Sequence, residues 1–159
     1  MGNIINSFSF VGTPNVFPNG DSASPTPNEA EDVSSWGQIG VNITSDTDSN
    51  NGTWSVKGTN TSSGSGIRFS RTITVENATT YDISIYAKRG ADNSDSRIAS
   101  WSGVVTSPDV NITTQSFAEY TFSVTTNSTS MVMWFYPERT SAALVGDSCF
   151  IDNITITKQ

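Results

Sequence analysis

From residue 80 to residue 88 apolar and polar side chains alternate without interruption, with Tyr81, Ile83, Ile85 and Ala87 set against Asp82, Ser84, Tyr86 and Lys88. An extended chain turns successive side chains to opposite sides, so this segment reads as a strand with one covered face. The pattern recurs. Residues 67–75 set Ile67, Phe69, Ile73 and Val75 against Arg68, Ser70, Thr72 and Thr74, with Arg71 intruding in the apolar series. Residues 53–59 carry Trp54, Val56 and Gly58 on one face, and residues 117–126 carry Tyr120, Phe122 and Val124. Shorter strands are expected over 38–43, just after Trp36, and over 97–105, which holds Trp101. Residues 130–136 are apolar on both sides, Met131, Met133 and Phe135 against Val132, Trp134 and Tyr136, so one face is core and the other serves another purpose. Helix formers are few and Thr, Ser, Asn and Gly abundant, which makes an all-β fold the expectation.

A chain of 159 residues is one domain's worth and can bury a real core. Residues 12–35 contain Pro14, Pro18, Pro25 and Pro27, which forbid a continuous helix or central strand, so a long loop or arm is expected there. The net charge of −7 and pI near 4.3 argue against nucleic acid and anionic membranes as partners, since a phosphate backbone requires a basic footprint. No apolar run approaches the roughly 20 residues that span a bilayer. The first residues lack the basic and apolar regions of a secretory leader. Cys149 is the single cysteine and can form neither an internal disulfide nor a zinc cluster. Seven Asn-x-Ser/Thr triplets, beginning at Asn42, Asn51, Asn60, Asn77, Asn111, Asn127 and Asn153, follow from a composition rich in those residues.

The last strand, 148–157, carries an acid inside an apolar pattern. Strict alternation puts Phe150, Asp152, Ile154 and Ile156 on one face, and a buried carboxylate costs several kcal/mol unless a cation or hydrogen bonds hold it. Two partners fit. Calcium suits an oxygen-rich chain, and hydrogen bonds from a neighbouring loop would serve equally. Residues 46–52 supply Asp46, Asp48 and Asn50 before Gly52, like the first half of a calcium-binding loop. The twelve-residue helical-hand loop is excluded, because Lys57 stands where a bidentate Glu is needed, and an Asx-rich turn is the alternative.

Residues 51–57, 80–88, 117–122 and 150–154, in that order, resemble the β-jelly-roll carbohydrate-binding modules, and more narrowly the galactose-binding-like group of families four, nine, sixteen and twenty-two. The resemblance runs from about Trp36 onward. It implies a two-sheet antiparallel β-sandwich (jelly roll), a structural calcium near the chain ends, and a polysaccharide site on a sheet face or at loop tips. Asp152 falls on the family's metal-binding aspartate, Asn51 and Gly52 on its loop carbonyls, and Ser9 where a first-strand Glu is usual; Asp46 or Asp48 would supply the missing charge. A module of this kind is expected within a larger secreted or cell-surface protein.

Sugar rings offer apolar patches rimmed by hydroxyls, so a site needs flat aromatic groups and planar polar ones. Strand phasing leaves Tyr86, Trp101, Trp134 and Tyr136 outside the core, although a one-residue slip would return Trp101 and Trp134 to it. Arg97, Arg139, Glu119, Lys88 and Arg89 are the candidate polar contacts. If Lys88, Arg89, Arg97 and Arg139 converge, an acidic polysaccharide is favoured, because guanidinium groups pair with carboxylates and sulfates; the aromatics suit a neutral β-glucan equally. Catalysis is not expected. There is no histidine, and Glu119 and Glu138 lie on separate segments. The competing expectation is a structural or adhesive β-sandwich of a phage tail or cell-surface assembly, with no glycan site.

Overall fold

The computed structural model describes residues 33–92, 94–138 and 143–159. Ser9, most of the 12–35 stretch and Arg139 fall outside them. Ten antiparallel strands are formed among the described residues: β1 (Gly37–Ile39), β2 (Val41–Asp46), β3 (Ser55–Asn60), β4 (Arg68–Thr74), β5 (Thr80–Arg89), β6 (Ser96–Ala99), β7 (Asp109–Ile112), β8 (Ala118–Thr125), β9 (Ser130–Tyr136) and β10 (Ser148–Lys158). They make two five-stranded sheets, sheet I in the order β2-β3-β10-β5-β8 and sheet II in the order β1-β4-β9-β6-β7. This is the expected two-sheet sandwich.

The apolar series of the sequence face inward from both sheets. Tyr81, Ile83, Ile85 and Ala87 of β5 meet Phe69, Ile73, Met131, Met133 and Phe135 of sheet II in one buried cluster. Each large side chain so covered contributes about 1.5–3 kcal/mol. Trp36 completes an aromatic triad, its ring 5.7 Å from both Phe69 and Phe135. Gly58 has no room for a side chain beneath that triad, since a Cβ there would lie 2.5 Å from the Phe69 ring. A buried thiol follows as well: desolvation pushes the Cys149 pKa up to about 12, against a smaller opposing hydrogen bond to Ser96.

Three sequence expectations are corrected. The strand over 38–43 is two strands in different sheets, because Gly40 adopts a left-handed conformation (φ 64°) and swings the chain across the sandwich. The strand over 97–105 stops at Ala99, where Ser100 (φ 62°) breaks the alternation and turns Trp101 inward. In β10 the register shifts between Asp152 and Thr155, with Asn153 at φ 45°. That bulge changes the parity of the strand. Cys149 and Ile151 face the core before it and Ile154 and Ile156 after it, so Phe150 and Asp152 lie on the opposite face from Ile154 and Ile156. Strand β7 was not anticipated.

Candidate functional site

The expected site residues divide between the two outer faces of the sandwich. On β9, Met131, Met133 and Phe135 fill the core while Val132, Trp134 and Tyr136 point outward, half-buried. Ser70 stands opposite Trp134, and Gly37 opposite Ser70, so the indole's neighbours toward the sheet edge are small. Arg68, on the outward face of β4, places its guanidinium 4.6 Å from the Trp134 ring centroid. Arg97 stands between Tyr136 and Asn111 in the pairing of β9, β6 and β7. Its Nε and Nη2 both donate to Asp109, each at 2.8 Å. These hydrogen bonds raise the Arg97 pKa above its ordinary value, with burial opposing more weakly.

Trp101 does not join this surface. It is buried against Phe122, 5.3 Å away, and its Nε1 donates to the Trp134 carbonyl at 3.3 Å. The left-handed Ser100 produced that inversion, and the Trp101 amide is then held by Ser107 Oγ at 2.7 Å. Trp101 thus supports the strand that carries Trp134 from beneath.

Tyr86, Glu119, Lys88 and Arg89 lie on β5 and β8 of sheet I, and the first three face outward. Tyr86 stands between Glu119 and Asp152, and Glu119 accepts a hydrogen bond from Ser84 Oγ at 2.6 Å. One step along, Phe150 stands between Lys57 and Lys88. The two ammonium groups lie 4.9 and 4.4 Å from its ring centroid, and Lys88 also lies 5.1 Å from that of Phe117. Covered this way, Phe150 is only 7% exposed although it points away from the core. Lys57 pairs with Asp46 at 3.0 Å and Lys88 with Asp48. Arg89 donates to the carbonyls of Thr113 and Gly90 at 2.9 and 3.0 Å. Lys57, Lys88, Arg89, Gln115 and Phe150 line a polar cleft of ≈440 Å³.

The expected ion-binding loop lies beside this cleft, and Asp152 is fully buried beneath it. Asp152 Oδ2 accepts from the backbone amides of Asn50 (2.6 Å) and Asn51 (3.2 Å), and Oδ1 from that of Asn153 (2.8 Å). Asp46 Oδ1 accepts from the Asp48 amide at 3.0 Å, and Asn51 Oδ1 from the Gly52 amide at 3.0 Å. Burial alone would raise the Asp46 pKa, but the Asp48 amide and the Lys57 ammonium together hold it below the ordinary carboxylate value. Among the described residues no group of three or more acidic, thiol or imidazole side chains is disposed to hold a metal. Calcium needs convergent oxygens. Among the described residues the loop presents N–H donors to Asp152 and ammonium groups to Asp46 and Asp48, and these side chains as arranged are not a convergent oxygen set for the ion.

Sequence reasoning missed Arg68, Lys57 and Phe150. Arg68 was legible as an outward residue of an alternating strand; Phe150 was hidden by the parity change at Asn153.

No family model and no curated protein sequence matches the chain. Solved structures share its fold. The CBM22-1 xylan-binding domain of Xyn10C from Paenibacillus barcinonensis superposes with a TM-score of 0.66 at 12% identity, over 92% of this chain and 96% of that one. TmCBM61 in complex with β-1,4-galactotriose gives 0.60 at 15%, over 92% of this chain and all of the other. The enzymatically active domain of tailspike protein 4 from bacteriophage CBA120 gives 0.64 at 18%, over 91% of this chain, which spans only 21% of the tailspike's length. The fold is the two-sheet β-sandwich that these structures share.

Proposed function

We propose that the chain is a non-catalytic module that binds a neutral polysaccharide or oligosaccharide on the outer face of sheet II. Trp134 and Tyr136 form the platform, with Arg68, Arg97 and Asn111 beside it. The observation that carries this reading is the division of β9, whose three core residues leave an indole and a phenol together on the outside. Flat rings offer the apolar face of a sugar a stacking surface, and planar groups beside them can pair with its hydroxyls. A neutral ligand is favoured over an acidic one because, among the described residues, Lys88, Arg89 and Arg97 do not converge. Arg97 is held by Asp109 on one face, while Lys88 and Arg89 belong to the other and are engaged there. Non-catalytic binding accords with the acids as well: Glu119 lies on the outer face of sheet I, and Glu138 is buried, accepting from Ser94. The resemblance to carbohydrate-binding modules supports a place within a larger secreted or cell-surface protein.

Titration with soluble neutral glucans, xylans and galactans tests the reading. Saturable binding is expected, weakened at least about tenfold, or ~1.4 kcal/mol, in Trp134→Ala with the fold intact. Equal binding by Trp134→Ala and the wild type would sink it. The tailspike likeness supports a second reading, a structural module of an assembly; that reading expects no affinity for any glycan.

A further inference from the structure

We propose that two lysines take the place of a structural ion in this chain, Lys88 and Lys57 neutralising the acidic 46–52 loop so that the fold is complete without calcium. The loop carries Asp46 and Asp48 and donates two of its amides to the buried Asp152, and this acidic charge is costly unless each carboxylate meets positive charge or N–H donors. Each does. Asp152 is satisfied by three backbone amides, Asp46 by one amide and Lys57, and Asp48 by Lys88. The lysines come from β3 and β5, the two neighbours of β10 in sheet I, so their ammonium groups reach the loop from either side of Phe150. Lys88 is 8% exposed, and taking its charge out of water is costly. The Asp48 carboxylate and the faces of Phe150 and Phe117 offset that cost. A calcium ion entering here would compete with both ammonium groups for Asp46 and Asp48.

Thermal unfolding of the full chain, with EDTA or with added calcium chloride, tests the proposal. The wild-type midpoint is expected to be the same in both, whereas Lys88→Met lowers it by roughly 5–10 °C and Lys88→Arg, which keeps the cation, recovers most of that loss. A wild-type midpoint that falls in EDTA and returns with calcium would overturn the proposal, as would a Lys88→Met protein that melts with the wild type. Should Lys88→Met not fold, Asp48→Asn changes the partly exposed half of the pair. It is expected to melt slightly lower and to ignore EDTA; sensitivity to EDTA in that variant would equally overturn the inference.

Discussion

The two outer faces of the sandwich use the same chemistry for opposite ends. On sheet I a phenyl ring lies between two lysines, each lysine is paired with a loop carboxylate, and the ring is almost wholly covered. On sheet II a guanidinium lies over an indole, but the indole and the neighbouring phenol are only half-buried and no loop of the described chain is tied down over them by ion pairs. A cation beside an aromatic ring is therefore not a ligand site by itself. What decides is whether the chain supplies its own anion. Where Asp46 and Asp48 close over the lysines the cluster fastens a loop, and where Asp109 takes only the far arginine the rings stay accessible.

The largest effect is expected on the fastening side. Asp152→Ala removes the buried carboxylate that accepts from the amides of Asn50, Asn51 and Asn153, a loss of about 3 kcal/mol that urea unfolding would measure; an unchanged midpoint would erase the distinction between the faces. Trp134→Ala comes next. It should weaken glycan binding at least about tenfold while costing little stability, which titration and circular dichroism together would separate. Arg68→Ala removes the group stacked on the indole and is expected to weaken binding about two- to fivefold, within the range of an exposed cation–π contact of ~0.5–1 kcal/mol. Tyr86→Ala, on the fastening face, should leave binding unchanged; a loss there would move the site to sheet I. The smallest signal is chemical. With its pKa pushed up to about 12 by burial, Cys149 should resist a thiol reagent in the folded protein and react once the chain is unfolded in urea.

Much of this arrangement was legible in the residues. The alternation of 80–88 and of 130–136 assigned inner and outer faces correctly, and through them the outward direction of Tyr86, Trp134 and Tyr136. The hydrogen-bonded alternative for Asp152 was also open, because a carboxylate inside an apolar strand has few ways to be satisfied. Trp101 and Phe150 were misassigned for one shared reason. Each follows or precedes a single residue with positive φ, Ser100 or Asn153, and one such residue moves every later side chain to the other face. Neither is a glycine; Asn153 is of a type that tolerates this conformation, whereas nothing about Ser100 marks the break. Strand β7 escaped for a different reason, since Asp109-Val110-Asn111-Ile112 is too short to display a period and is formed by pairing with β6.

The sequence by itself determined that this chain is all-β, because the two-residue period of its strands is a local property that survives any packing. Only the tertiary structure decided which rings are exposed and what neutralises the acidic loop. Those outcomes depend on left-handed residues stabilised by distant contacts and on lysines that meet their carboxylates only after the sheet has formed.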